Sequence, residues 1–166
     1  GAAALVLMQR GGPGPATGSA AASEIAGVPL PKHAAFGKRE VQTDGSIEPA
    51  ELAKLYDSTL GALRAYAHTE LPDPVDVLLA VPAKVLCEPK AYYVGQPPAN
   101  CATADAAVSI DKGGTHRVMV VSDRARLMNA LRKGVSQAAC EFFPTEDNKR
   151  LGEICALTSR FAESAN

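Results

Sequence analysis

Between Arg117 and Phe143 the chain reads RVMVVSDRARLMNALRKGVSQAACEFF, and this stretch limits the possible folds more than any other. It opens on an unbroken apolar run, Val118 to Val121. That run is short and β-branched, as a buried strand requires. The polar pair Ser122-Asp123 follows. Then Leu127, Met128, Leu131, Val135, Ala138 and Phe142 recur every three or four residues. Such spacing places them on one face of a helix. Strand, polar turn and amphipathic helix form a unit whose apolar side must be covered by other elements.

The covering elements are legible on either side. Asp44-Gly45 signals a turn. Ser46 is the expected cap of a helix with Glu48 and Pro49 in its first turn, and Leu52, Leu55, Tyr56, Leu63 and Tyr66 form its apolar stripe. Pro72 and Pro74 close it. Ala106 to Ile110 and Arg117 to Val121 flank a Gly-containing loop and read as a hairpin. After the central helix Pro144 is a stop and Thr145 a cap for a last helix striped by Leu151, Ile154, Thr158 and Phe161. Helices are therefore expected near Ile47–His68, Asp123–Phe142 and Glu146–Glu163. Strands are expected near Val75–Val81, Ala106–Ile110 and Arg117–Val121. The order points to a single α+β domain over residues 38–166, with an antiparallel sheet packed by one N-terminal and two C-terminal helices. Leu55, Leu63, Leu79, Val120, Leu127, Leu131, Ile154 and Phe161 are its expected core.

Residues 1–37 differ in kind. Gly11-Gly12-Pro13-Gly14-Pro15 and the Ser/Ala-rich run after it are low complexity, and Val28-Pro29-Leu30-Pro31 continues in an extended manner. This composition offers little apolar surface to offset the entropy of ordering. It reads as an extended Gly/Ala/Pro-rich arm that docks on a partner, with Val28, Leu30 and Phe36 as its apolar anchors.

The chain has 166 residues, enough for one real core. A net charge of −1 gives no electrostatic case for nucleic acid, and 5% aromatics without Trp gives no stacking platform. No stretch has the ~20 apolar residues of a membrane span. Cys87, Cys101, Cys140 and Cys155 form an even set without metal spacing. They read as two disulfides, with Cys87–Cys101 the favoured pair, and hence as an extracytoplasmic setting: an organelle lumen, an intermembrane space, the periplasm or the cell exterior. Cys140–Cys155 would need the last two helices to be splayed or unequal.

Two stretches could carry chemistry. Ser122, Asp123 and Arg124 stand between a strand and a helix, where backbone amides favour an anion. Glu40 to Leu52, EVQTDGSIEPAEL, resembles the second half of an EF-hand calcium loop. Asp44, Gly45, Ile47 and Glu51 fall at its fifth, sixth, eighth and twelfth positions, while Glu40 and Gln42 depart from the first and third. That resemblance implies a degenerate calcium-binding module. His33, His68 and His116 have no second ligand at metal spacing, and no cofactor is expected. The first functional reading is a non-enzymatic accessory or structural subunit that docks on a larger protein assembly through its arm. The alternatives are a small exported enzyme or ligand-binding domain with a site near Ser122-Asp123, and the calcium module.

Overall fold

The computed structural model describes residues 23–164. It begins with an antiparallel hairpin of β1 (Ser23–Ile25) and β2 (Val28–Leu30). Ala26 and Gly27 join the strands with φ of 49° and 81°. Two positive φ values give the loop the twist that a two-residue hairpin needs. Then come β3 (Lys32–Phe36), β4 (Arg39–Thr43), α1 (Pro49–Ala67), β5 (Val77–Val81), two 3-10 turns (Ala83–Cys87 and Pro89–Ala91), β6 (Ala106–Ile110), β7 (His116–Val121), α2 (Leu127–Glu141) and α3 (Asn148–Glu163). The main sheet has the order β3-β4-β5-β7-β6.

Three layers result. On one face Val41, Leu78, Ala80, Val118 and Val120 meet α1, α2 and α3 through Leu52, Tyr56, Leu63, Leu131, Ile154 and Phe161. On the other, Leu79, Val81, Ala107, Met119 and Val121 lie under Ile25 and Leu30 of the hairpin and under Val85, Leu86 and Tyr92 of the 82–105 loop. Strands covered on both faces need apolar residues at every position. That is why β5 reads VLLAV and β7 ends in VMVV. Gly134 lets α2 approach the sheet. A Cβ there would stand 2.9 Å from Val118 Cγ1 and 3.2 Å from the Ala106 Cβ.

The expected single α+β domain is therefore what forms, but the sheet is mixed rather than antiparallel throughout. β3–β4 and β6–β7 are antiparallel, while β4–β5 and β5–β7 are parallel. α1 carries the chain from the end of β4 back to the start of β5, the crossover a parallel pair requires. Of the expected core, Leu63, Leu79, Val120, Leu127, Leu131, Ile154 and Phe161 are buried and Leu55 is partly so.

The boundary of the arm also moves. Residues 23–37, expected to lie outside the body, supply β1, β2 and β3. Ile25 and Leu30 are 5% and 1% exposed, Val28 packs beside them, and Phe36 packs on the helix-side core. Burying Leu30 alone stabilises by roughly 1.5–3 kcal/mol. The rest of the expected arm, residues 1–22, lies outside the described residues. Caps shift too. α1 starts at Pro49 after Glu48, with no side-chain cap, and Ser46 instead bonds to Asp44. α3 is capped by Asp147, which accepts from the amides of Lys149 and Arg150.

Candidate functional site

Three parallel strands, β4, β5 and β7, end on the same side of the sheet. Asp44, Pro82 and Ser122 follow them directly. In doubly wound sheets a ligand crevice opens at such ends where successive crossovers leave for opposite faces. Here α1 and α2 lie on the same face, so no crevice is formed in that way.

The polar groups at this edge hold each other. The Ser122 hydroxyl donates to Asp44 Oδ2 at 2.6 Å. The Ser46 amide and hydroxyl donate to Asp44 Oδ1 at 3.0 and 2.6 Å. Arg124 makes a two-pronged contact with Glu51 of α1, at 2.7 and 2.8 Å. Asp123 accepts from the Ala125 amide at 2.9 Å, and α2 begins only at Leu127. So the strand-to-helix edge proposed for an anion carries a carboxylate at Asp44 and an Arg124 already neutralised by Glu51. Chemically the cluster is a brace between the β4–α1 and β7–α2 connections.

Burial acts to raise the Asp44 pKa, but hydrogen bonds from Ser122 and Ser46 outweigh it and hold the carboxyl below its usual range. The Arg124 hydrogen bond likewise lowers Glu51. A carboxyl with a depressed folded pKa adds stability that is complete above its unfolded pKa, about 3.9, and is lost as pH falls through the folded value. Asp44→Asn should therefore destabilise the domain at neutral pH. The difference from the unsubstituted protein should shrink below about pH 4. Urea melts at pH 7 and pH 3 check this, and an equal difference at both would contradict the brace.

The EF-hand resemblance does not survive the backbone. Glu40 and Gln42 lie in β4, which pairs with β3 on one side and β5 on the other, so no looped ligand cradle can form there. Glu51, at the twelfth position, is paired with the Arg124 guanidinium. Among the described residues no group of three or more His, Cys, Asp or Glu is placed to hold a metal. His33 lies in β3, His68 ends α1, and His116 stacks on Phe142 with ring centres 4.0 Å apart.

Two polar clusters were not anticipated. Arg39 is 9% exposed. It binds Asp57 at 3.0 Å and also Asp73, and lies 4.1 Å over the Tyr56 ring. The Tyr56 hydroxyl donates to Asp73, and burial together with that carboxylate pushes the Tyr56 pKa far up. Asp105, before β6, receives Arg126, the residue just before α2, and Asn129 and Lys133 of α2, at 2.8, 2.9 and 3.1 Å. Each cluster pins a helix to the sheet. The one available signal was parity: Arg39 lies two residues before Val41, on the inward side of an alternating strand.

All four cysteines are paired, Cys87 with Cys101 and Cys140 with Cys155, the latter at a Cα separation of 4.7 Å. About 10 Å of α3 lies between Asn148 and Cys155. The non-helical segment 142–147 spans this length, so the helices form no level hairpin and the bridge can close. Two disulfides fit an oxidising, non-cytosolic environment. Among the described residues no helix is long and apolar enough to cross a membrane. Fold and site thus define a disulfide-braced α+β domain with a mixed five-stranded sheet. Compared with known protein families, curated proteins and solved structures, the chain matches none.

Proposed function

We propose that this chain is a non-enzymatic accessory or structural subunit of a larger protein assembly, in an organelle lumen, an intermembrane space, the periplasm or outside the cell. The observation that carries the reading is the mutual engagement of Asp44, Ser46 and Ser122, beside the Arg124–Glu51 pair. Groups that could bind or activate a small molecule at the strand ends bond to one another, which supports a bracing role over a catalytic one. Attachment falls to residues 1–22, the part of the expected arm that precedes β1. Their composition supports this: glycines and alanines have little side chain to bury on the domain itself, and Pro13 and Pro15 reduce the chain entropy lost on docking. Val28, Leu30 and Phe36 are engaged in the domain's own packing and are not the anchors of this reading.

A photo-reactive amino acid at Leu7, in the full chain expressed in its own compartment, tests this. The expected product is a covalent adduct to one larger protein. The same group at Lys54, on the exposed side of α1, should give none. Adducts to unrelated proteins at both positions would contradict the reading.

A further inference from the structure

β6 lies at the edge of the sheet, and its ladder parity can be worked out. The Val121 amide bonds to Asp105 O and the Asp111 amide to Thr115 O. Hydrogen-bonded pairs alternate along an antiparallel ladder. The Ala107–Met119 and Ser109–Arg117 pairs are therefore bonded, and Ala106, Val108 and Ile110 turn their N–H and C=O groups away from β7. Ile110 O is taken by the Val94 amide, an isolated antiparallel bridge at 3.3 Å. The chain thus starts a sixth strand and then abandons it. Continued in register, Gln96 would face Val108 and Pro98 would face Ala106. Gly95 instead turns away at φ 100°, and Pro98 has no amide to give. A groove of about 340 Å³ opens where the strand would have run, lined by Val108, the 94–98 loop, and Gln137 and Glu141 of α2.

The two edges of the sheet are not equivalent. β3 is guarded by Pro31 before it, Lys32 within it and Lys38 after it, devices that block edge pairing. β6 reads AAVSI and carries no such guard. Tyr93 and Val94 beside it are 62% and 52% exposed.

We propose that this groove takes an extended peptide segment of a partner protein as a sixth strand antiparallel to β6, with a basic residue opposite Val108. Directly opposed side chains share a face of the sheet. The Val108 side chain packs on the helix side, so the guest residue opposite it meets Gln137 and Glu141. Gln137 bonds to Glu141 at 2.9 Å, and the C-terminal end of α2 adds its partial negative charge. Lysine or arginine complements that wall. The two neighbouring guest residues face the other side of the sheet, where Ala107 is buried in the second core, which suits apolar groups. The proposal rests on the subunit reading and adds the chemistry of what is bound.

The probe is a blocked pentapeptide, Thr-Val-Lys-Val-Thr, titrated into the disulfide-intact protein and followed by amide NMR and hydrogen exchange. Saturation below about 1 mM is expected. The Val108 amide should exchange more slowly while the Ser109 amide, already bonded to Arg117, stays unchanged. Glu141→Lys, an exposed substitution, should weaken binding about tenfold, as should the Glu-for-Lys peptide. N-methylation of the peptide lysine should abolish binding. Equal affinity for both peptides, shifts at His33 and Ala35 of β3 instead, or no binding would overturn the proposal. So would Val108 protection in a concentration-dependent dimer without peptide, which assigns the edge to a second copy. A protein that forms its Leu7 adduct yet ignores the peptide keeps the subunit reading and loses this one.

Discussion

Removing residues 1–30 should cost the domain about 4 kcal/mol or more, whereas removing residues 1–22 should cost about 1 kcal/mol or less. The contrast follows from eight residues. Ser23 to Leu30 form the hairpin that roofs the second face of the sheet, and Ile25 and Leu30 are its buried side chains. Truncating one such side chain typically costs 2–5 kcal/mol. Losing both also uncovers Leu79, Val81 and Met119, each no more than 2% exposed. Small domains have only about 5–15 kcal/mol in total, so the longer deletion should melt tens of degrees lower or fail to fold. The shorter deletion should shift the midpoint by a few degrees. Circular dichroism melts of the two, with disulfides intact, decide the matter. Equal midpoints would mean that the hairpin is not part of the core.

Leu131→Ala should cost about 2–5 kcal/mol. Leu131 is fully buried in the helix-side core, in the cluster that includes Val118, Val120, Ile154 and Phe161. Cys140–Cys155 ties α3 to α2, which limits how far the helices can shift to collapse into the cavity. Nearby, Gly134→Val should destabilise by about 1–3 kcal/mol through overpacking. Its Cβ would press on Val118, a stiff β-branched side chain with no exposure. Denaturant melts measure both changes. A loss below about 1 kcal/mol for Leu131→Ala would mean that the stripe does not face the sheet.

The unit from Val118 to Phe142 was readable because its apolar residues carry their own period. Even there the helix starts four residues after Asp123, since Asp123 makes a local turn rather than a cap. β6 was readable to the residue. What stayed hidden were the first four strands, the β1–β2 hairpin and β3 and β4 of the main sheet. In β4 the inward positions are Arg39, Val41 and Thr43, so the alternation looks polar. In β1 and β2 the signal is two short runs, broken by Pro29. With β4 missed, the helix that follows it could not be recognised as a crossover, and a parallel pairing could not be inferred. The brace at Asp44 and Ser122 joins residues 78 apart in sequence. Only the sheet order brings them together. Cys87–Cys101 was legible because it closes a Pro-rich loop, while the other bridge depended on a helix offset that no spacing rule encodes.

On the proposed reading the folded body is self-sufficient and residues 1–22 attach it to something larger. The mass of the particle in which the chain travels tests this most directly. The 166-residue chain and its 1–22 deletion are expressed in their own compartment, extracted gently, and compared by size exclusion with light scattering. The 166-residue chain should elute in a particle several times its own 17.2 kDa, and the deletion as a folded, disulfide-bonded monomer. Elution of the undeleted chain alone, or of the deletion in the large particle, would contradict the proposed attachment.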